Sequence, residues 1–262
     1  MNIFTASVDR PILALSATLL LAVFAGSAAE GRNIPLGTAA SFAVLGDSTI
    51  TNTGPTVIVG SLGLSPGTSI TGFAPGAISG GTIHNNDAAA FQAQADALTA
   101  YLTMTSMAVT LDLTGQDLGG LTLTPGTYRF ASSAQLTGAL TLNGMGLLDS
   151  LFVFQIGSTL TTASNSSINF INGASACNAF FQVGSSATLG TNTNFSGTII
   201  SSESNTLTTG ATVVGRVFAL NGAVTLDDNR ITVCTVIPTP STALAGLLLL
   251  SGTLARRRRR SN

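Results

Sequence analysis

Between Glu30 and Val236 hydrophobic and polar positions alternate over short runs, and each run ends at Gly, Asn, Asp or Ser. Phe152-Val153-Phe154-Gln155-Ile156-Gly157 and Phe181-Gln182-Val183-Gly184 are typical. Period-two alternation with Gly-rich punctuation marks short strands joined by tight turns. A longer period lies over the short one. A Thr-Leu step recurs at Thr122-Leu123, Thr141-Leu142, Thr159-Leu160, Thr188-Leu189, Thr206-Leu207 and Thr225-Leu226, separated by 19, 18, 29, 18 and 19 residues. Repeats of that length mean stacked units that share one core. Three sides of about six residues, each rising ~3.3 Å per residue, make such a coil. The pattern therefore predicts a mainly β fold, a three-sided parallel β-solenoid. The interval of 29 reads as one coil with an 11-residue insertion at 168–178.

With the leucine of each step pointing inward, Leu123, Leu142, Leu160, Leu189, Leu207 and Leu226 form one inner wall. Phe152, Phe154, Ile156, Phe181, Val183, Val217 and Ala219 form a second. Gly157, Gly184, Gly197, Gly215 and Gly222 fall where corners must turn. Thr49-Ile50-Thr51 and Ser69-Ile70-Thr71 carry a related pattern 20 residues apart, which predicts further coils before residue 85. One segment breaks the β period. Residues 87–109 lack Gly and Pro and place Phe91, Ala95, Leu98 and Leu102 at helical spacing, with Asn86 or Asp87 as an N-cap. One long helix over about 87–109 is expected to cover a flank of the solenoid, which is then discontinuous in sequence.

The two ends follow neither pattern. Residues 1–29 read as a secretory signal: Arg10, the apolar 12–24, then Gly26-Ser27-Ala28-Ala29. Residues 237–262 hold Pro238-Thr239-Pro240, an apolar run at 243–255 and Arg256 to Arg260. That tail resembles the PEP-CTERM signals read by an exosortase, with Pro-Thr-Pro standing where the family has Pro-Glu-Pro. The mature domain is then 30–236, secreted or held at the cell surface, and an exosortase-like sorting protease is the partner implied by the tail. In an exported chain the two cysteines, Cys177 and Cys234, are expected to form one disulfide.

Composition narrows the function. Charged residues are 8% of the chain, lysine is absent, and 37 threonines and 27 serines take their place. From Glu30 to Ile237 four arginines face ten carboxylates, which excludes the clustered basic surface that nucleic acid requires. His84 is the single histidine, so neither a metal centre nor a hydrolytic triad is expected, and no cofactor. Asp227-Asp228 reads as a charged cap on the last coil.

Particular stretches resemble one family. They are Phe42 to Gly54, Gly63-Leu64-Ser65-Pro66-Gly67, Ile70-Thr71-Gly72-Phe73, Phe152 to Leu160, Phe181 to Gly190, and Gly215-Arg216 with Gly222 to Asp227. Across roughly 34–233 the chain is similar to the bacterial and fungal ice-binding proteins of the DUF3494 family. The resemblance implies a right-handed triangular solenoid with its helix along one face, ice or ordered water as the partner, and no enzymatic activity. A monomer is expected.

An ice face must be flat, repetitive and uncharged. Threonine suits it, because the methyl excludes loose water, the hydroxyl holds the rest, and χ1 is stiff in a strand. Coils stack ~4.8 Å apart, close to the oxygen repeat of ice. Coils aligned on Thr-Leu put Thr162, Thr191 and Thr209 beside Asn165, Asn194 and Thr212, a three-rung ladder and the preferred candidate. The second candidate is the Thr-Leu-Thr strand itself: Thr122, Thr124, Thr159, Thr161, Thr206 and Thr208. Two other functions fit less of the pattern. A structural surface or biofilm-matrix adhesin would use the solenoid as a spacer, and a pectate-lyase-like enzyme would need carboxylates recurring at coil spacing.

Overall fold

The computed structural model describes residues 34–147 and 149–234. The expected secretory signal at 1–29 and sorting tail at 237–262 lie outside these residues. All strand pairings are parallel, and they stack into three walls. The first wall runs Leu111–Asp112, Gly126–Phe130, Phe152–Ile156, Ala179–Val183, the second halves of Asn194–Ser201 and Thr212–Ala219, then Phe42–Gly46, Ser61–Leu64 and Ile83–Asn85. The second wall is a seven-stranded sheet: Ala134–Leu136, Leu160–Thr162, Ala187–Leu189, Asn205–Leu207, Val224–Asp227, Thr49–Thr53 and Ser69–Thr71. The third takes Thr122–Leu123, Ala139–Asn143, Ser167–Ile171, the first halves of the two long strands, then Arg230–Thr232, Val57–Val59 and Ala77–Ser79.

The early coils stack beyond the late ones. Val44 pairs with Val217, Ile50 with Val224 and Val57 with Arg230. The first coils therefore sit at one end of the stack, and the chain must return to the other end to begin again at Leu111. The helix Ala88–Thr105 makes that return along the first wall. Its 18 residues cover about 27 Å. It ends at Thr105, with the Ser106 N–H closing on the Leu102 carbonyl, rather than near 109, and residues 107–110 complete the distance outside the helix. Asp227, expected on a terminal coil, is interior, since Thr53 pairs with it.

The core follows the period-two rule. Leu123, Leu142, Leu160, Leu189, Leu207 and Leu226 are all buried inside, with Phe152, Phe154, Ile156, Phe181, Val183, Val217 and Ala219. Tyr128, Phe154 and Phe181 occupy one register position in successive coils, with ring centroids 5.4 and 4.4 Å apart. The opposite side of the first wall is apolar too: Phe42, Leu45, Val153, Phe180, Ile200 and Phe218 meet the helix. That wall is already full of large side chains, so the helix approaches through small ones. Ala90, Ala93, Ala97, Ala100 and Met104 are buried, whereas Phe91, Ala95, Leu98 and Leu102 face away from the solenoid. The apolar stripe that the sequence marks is thus the outer face of the helix.

The repeat is real, but its phase differs from the Thr-Leu alignment. Leu160 pairs with Ala187 and Thr161 with Thr188, two residues away from a Thr159-Thr188 match. Thr122-Leu123 and Thr141-Leu142 belong to the third wall and pair with each other. The coils from 134 to 187 are long, Ala134 to Leu160 and Leu160 to Ala187, because loops bulge after Asn143 and after Ile171. The later coils pass from third wall to first inside one strand, through the paired Gly197 and Gly215 at φ +136° and +149°. A side chain at Gly215 would run into the Gly197 carbonyl. Cys177, on the second bulged loop, is disulfide-bonded to Cys234 after the last third-wall strand.

Candidate functional site

The three walls differ in what they offer to solvent. The helix covers the first. The third carries Arg230 and Val57 at one outward register and half-exposed Val214 at another. The second wall is different. Its central outward column runs Gln135, Thr161, Thr188, Thr206, Thr225, Thr51 and Thr71, each paired in register with the next. Six threonines in line, ~4.8 Å apart, cross the junction between late and early coils without interruption. Thr161, Thr225, Thr51 and Thr71 are exposed, and Thr188 and Thr206 are half-exposed between their neighbours.

A second column of small hydroxyls lies two residues earlier, ~6.7 Å away along the strand. It holds Ser133, Thr159, Ser186, Ser204, Thr49 and Ser69, interrupted by Ala223. The Thr159 hydroxyl donates to Ser133 Oγ at 2.9 Å, a bond from one coil to the next. The third column is less regular: Thr137, Ala163, Gly190, Thr208, Asp227 and Thr53. Asp227 accepts a hydrogen bond from the Thr209 hydroxyl, which neutralises part of its pull on water. The central column contains no charge. The wall thus presents rows of methyl and hydroxyl groups with a packed apolar core behind them.

The preferred ladder does not assemble. Thr162 is 3% exposed and points into the core. Its hydroxyl lies 2.8 Å from that of buried Thr193 and accepts from the Gly190 N–H at 2.9 Å. The two-residue phase difference places it opposite Leu189, an inward position. Asn165 sits at the corner between second and third walls with φ +60°, as do Asn192, Gly210 and Asp228 in the next coils, so it shapes a turn. Thr191 and Thr209 are exposed at that same corner. Asn194 and Thr212 pair on the third wall, where the Thr212 hydroxyl donates to Asn194 Oδ1.

The second candidate comes closer. Thr161 and Thr206 belong to the central column, with Thr159 and Thr208 in the columns beside it. Thr122 lies on the third wall and Thr124 is exposed just after its strand. Thr188, Thr225, Thr51 and Thr71 complete the column. The signal for the last two was present in Thr49-Ile50-Thr51 and Ser69-Ile70-Thr71.

Asp96, Asp87 and Arg216, away from the face, are among the groups with shifted acidities. Asp96 on the helix accepts from the Thr38 hydroxyl at 2.7 Å and the Thr38 N–H at 2.6 Å, which holds its carboxyl below the usual range. Asp87 caps the helix by accepting from the Ala90 N–H and lies 2.9 Å from His84, and both bonds lower it. Burial lowers the Arg216 guanidinium to about 10, while it donates to the Ala40 carbonyl and to Cys234. Among the described residues no cluster of His, Cys, Asp or Glu is placed to hold a metal ion.

Known proteins resemble this chain in sequence and fold. The family described as Ice-binding-like matches residues 44–232. An ice-binding protein of Nostoc sp. (strain HG1) is 53% identical over 249 residues, 92% of each chain. An ice-binding protein of Colwellia sp. is 32% identical over 225 residues, covering 80% of this chain and 88% of its own. The crystal structure of an ice-binding protein from the Antarctic ascomycete Antarctomyces psychrotrophicus superposes with a TM-score of 0.74 at 43% identity, over 78% of this chain and all of that one.

Proposed function

The chain belongs to the ice-binding-like family, and from that premise we propose that it binds ice through the second wall, by the column Thr161, Thr188, Thr206, Thr225, Thr51 and Thr71 and the hydroxyls beside it. The family is one of ice binders rather than enzymes. The observation that carries the choice of face is the unbroken register of six threonines on the wall that neither the helix nor an arginine occupies. Stiff strand side chains lose little freedom when water freezes onto them. The inward residues behind the column, including Leu160, Leu189, Leu207, Leu226 and Ile50, are fully packed, so the grid stays flat as ice forms against it.

The reading includes export by residues 1–29 and retention or processing of 237–262 by an exosortase-like protease, with the 30–236 domain acting as a monomer. The Cys177–Cys234 disulfide supports an oxidising compartment. Slow growth of an ice hemisphere in a dilute solution of the protein tests the function. The chain is expected to be enriched in the ice over the liquid and to hold back recrystallisation in a frozen film. Exclusion from the ice, with no effect on grain growth, would return the fold to a structural role such as a surface adhesin.

A further inference from the structure

We propose that the cleft beside the C-terminal end of the helix binds a saccharide through Arg129, Gln155 and Gln182. The cleft has a volume of about 410 Å³ and is also lined by Thr105, Met107 and Val109. That volume lies within the ~300–1,000 Å³ common for small-molecule sites.

The outward face of the first wall shows why this cleft is more than a gap left by the helix. Leu45, Phe218 and Ile200 share one outward register, and Gln182, Gln155 and Arg129 continue it in the next coils. The three apolar members pack against the helix. The polar members begin where the helix stops. Gln155 has a structural role, because its amide N–H groups donate to the Met104 and Met107 carbonyls at 2.7 and 2.9 Å and close the helix end. Gln182 has no such role. It is 6% exposed, it lines the cleft, and among the described residues its side-chain amide has no hydrogen-bond partner. A buried amide left unpaired costs stability, and a leucine would continue the apolar column without that cost. Arg129 is exposed and makes no ion pair among the described residues. Two polar side chains in one cleft, neither used by the fold, point to a ligand.

The donors and acceptors select its chemistry. Arg129 only donates, Gln182 donates and accepts, and Gln155, its N–H groups already engaged, accepts through Oε1. A sugar hydroxyl gives and takes a hydrogen bond, so it serves all three. A carboxylate cannot donate to Gln155. It would also face Asp112, which pairs in register with Arg129, and the carbonyl end of the helix. Spacing agrees, because the three side chains stand one coil apart, ~4.8 Å, close to the length of a pyranose ring. Phe130, the one aromatic residue lining the cleft, has its side chain in the core. No ring is offered for a sugar to stack on, so binding is expected to be weak.

Side-chain amide NMR on the isotope-labelled full chain, titrated in turn with cellobiose and maltose, tests the assignment. The proposal predicts that at least one of them shifts the Gln155 and Gln182 amide signals saturably. Gln182→Leu should weaken that binding by roughly tenfold, as loss of a hydrogen-bonding partner does, and leave the thermal midpoint equal or higher. Arg129→Ala, at an exposed position, should weaken it with the fold intact. A hexasaccharide of the same linkage that binds more tightly would assign the cleft to a polysaccharide chain, and one that binds equally would assign it to a free sugar. Shifts that stay linear with both disaccharides would overturn the proposal, as would binding unchanged in both variants. Saturable binding of acetate with no response to either sugar would overturn it in favour of an organic anion.

Discussion

Thr161 and Thr162 are neighbours with opposite fates. Thr161 faces water in the central column, whereas Thr162 faces the core and is satisfied there by Thr193 and Gly190. Sequence could not separate them, because threonine is common on both faces of this chain and the period-two rule needs a known phase. Leu160 and Leu189 supplied an inward direction but not which coil positions stack. Thr162→Val removes the hydroxyl and keeps the volume, so the Gly190 N–H and the Thr193 hydroxyl lose a buried partner. Urea unfolding should show a loss of about 1–3 kcal/mol, with ice activity per folded molecule unchanged. Leu207→Ala should lose about 2–5 kcal/mol in the same assay, as deletion of a fully packed leucine does. A Leu207→Ala protein as stable as the wild type would mean that Leu207 is not part of the inner wall.

At the scale of elements, the helix shows why periodicity alone misassigns a face. Phe91, Ala95, Leu98 and Leu102 have helical spacing, but the wall beneath is paved with phenylalanines, and close approach needs alanine. The existence of the helix was legible from its missing Gly and Pro and from two cap candidates, Asn86 and Asp87, of which Asp87 makes the bond. Its buried side was a property of the partner surface. Ala97→Leu should overfill that interface and lower stability by about 1–3 kcal/mol, while Leu98→Ser on the outer side should change it by less than ~0.5 kcal/mol. Asp96 ties the helix to Thr38. Its carboxyl is held below the usual value in the folded state, so its contribution is present above the unfolded carboxylate pKa of ~3.9 and fades as pH falls through the folded one. Thermal melts of Asp96→Asn against wild type should differ at neutral pH and converge in acid. A difference that persists unchanged below pH 3 would remove the carboxylate from the account.

For the whole molecule, the architecture was legible and the phase was not. A coil of 18–19 residues, extra coils before the helix and a Cys177–Cys234 bridge all follow from spacing, composition and compartment, because stacking and redox chemistry act on any sequence of this pattern. Which threonines share a wall depends on how coils of unequal length stack, and the bulged loops after Asn143 and Ile171 break the count that would have given it. The disulfide closes a separation of 57 residues, so on the loop-entropy account its removal should destabilise by up to about 4 kcal/mol, read as a lower melting temperature after reduction. The central claim is that the second wall meets the ice. Thermal hysteresis at matched concentration, on Thr206→Tyr at the middle of the column and Thr212→Tyr on the third wall, tests it most directly. The account predicts that Thr206→Tyr loses most of the activity with an unaltered melting temperature, because a ring stands above the grid and lifts it off the lattice, while Thr212→Tyr retains the wild-type value. Full activity in Thr206→Tyr together with its loss in Thr212→Tyr would contradict the account and place ice on the third wall.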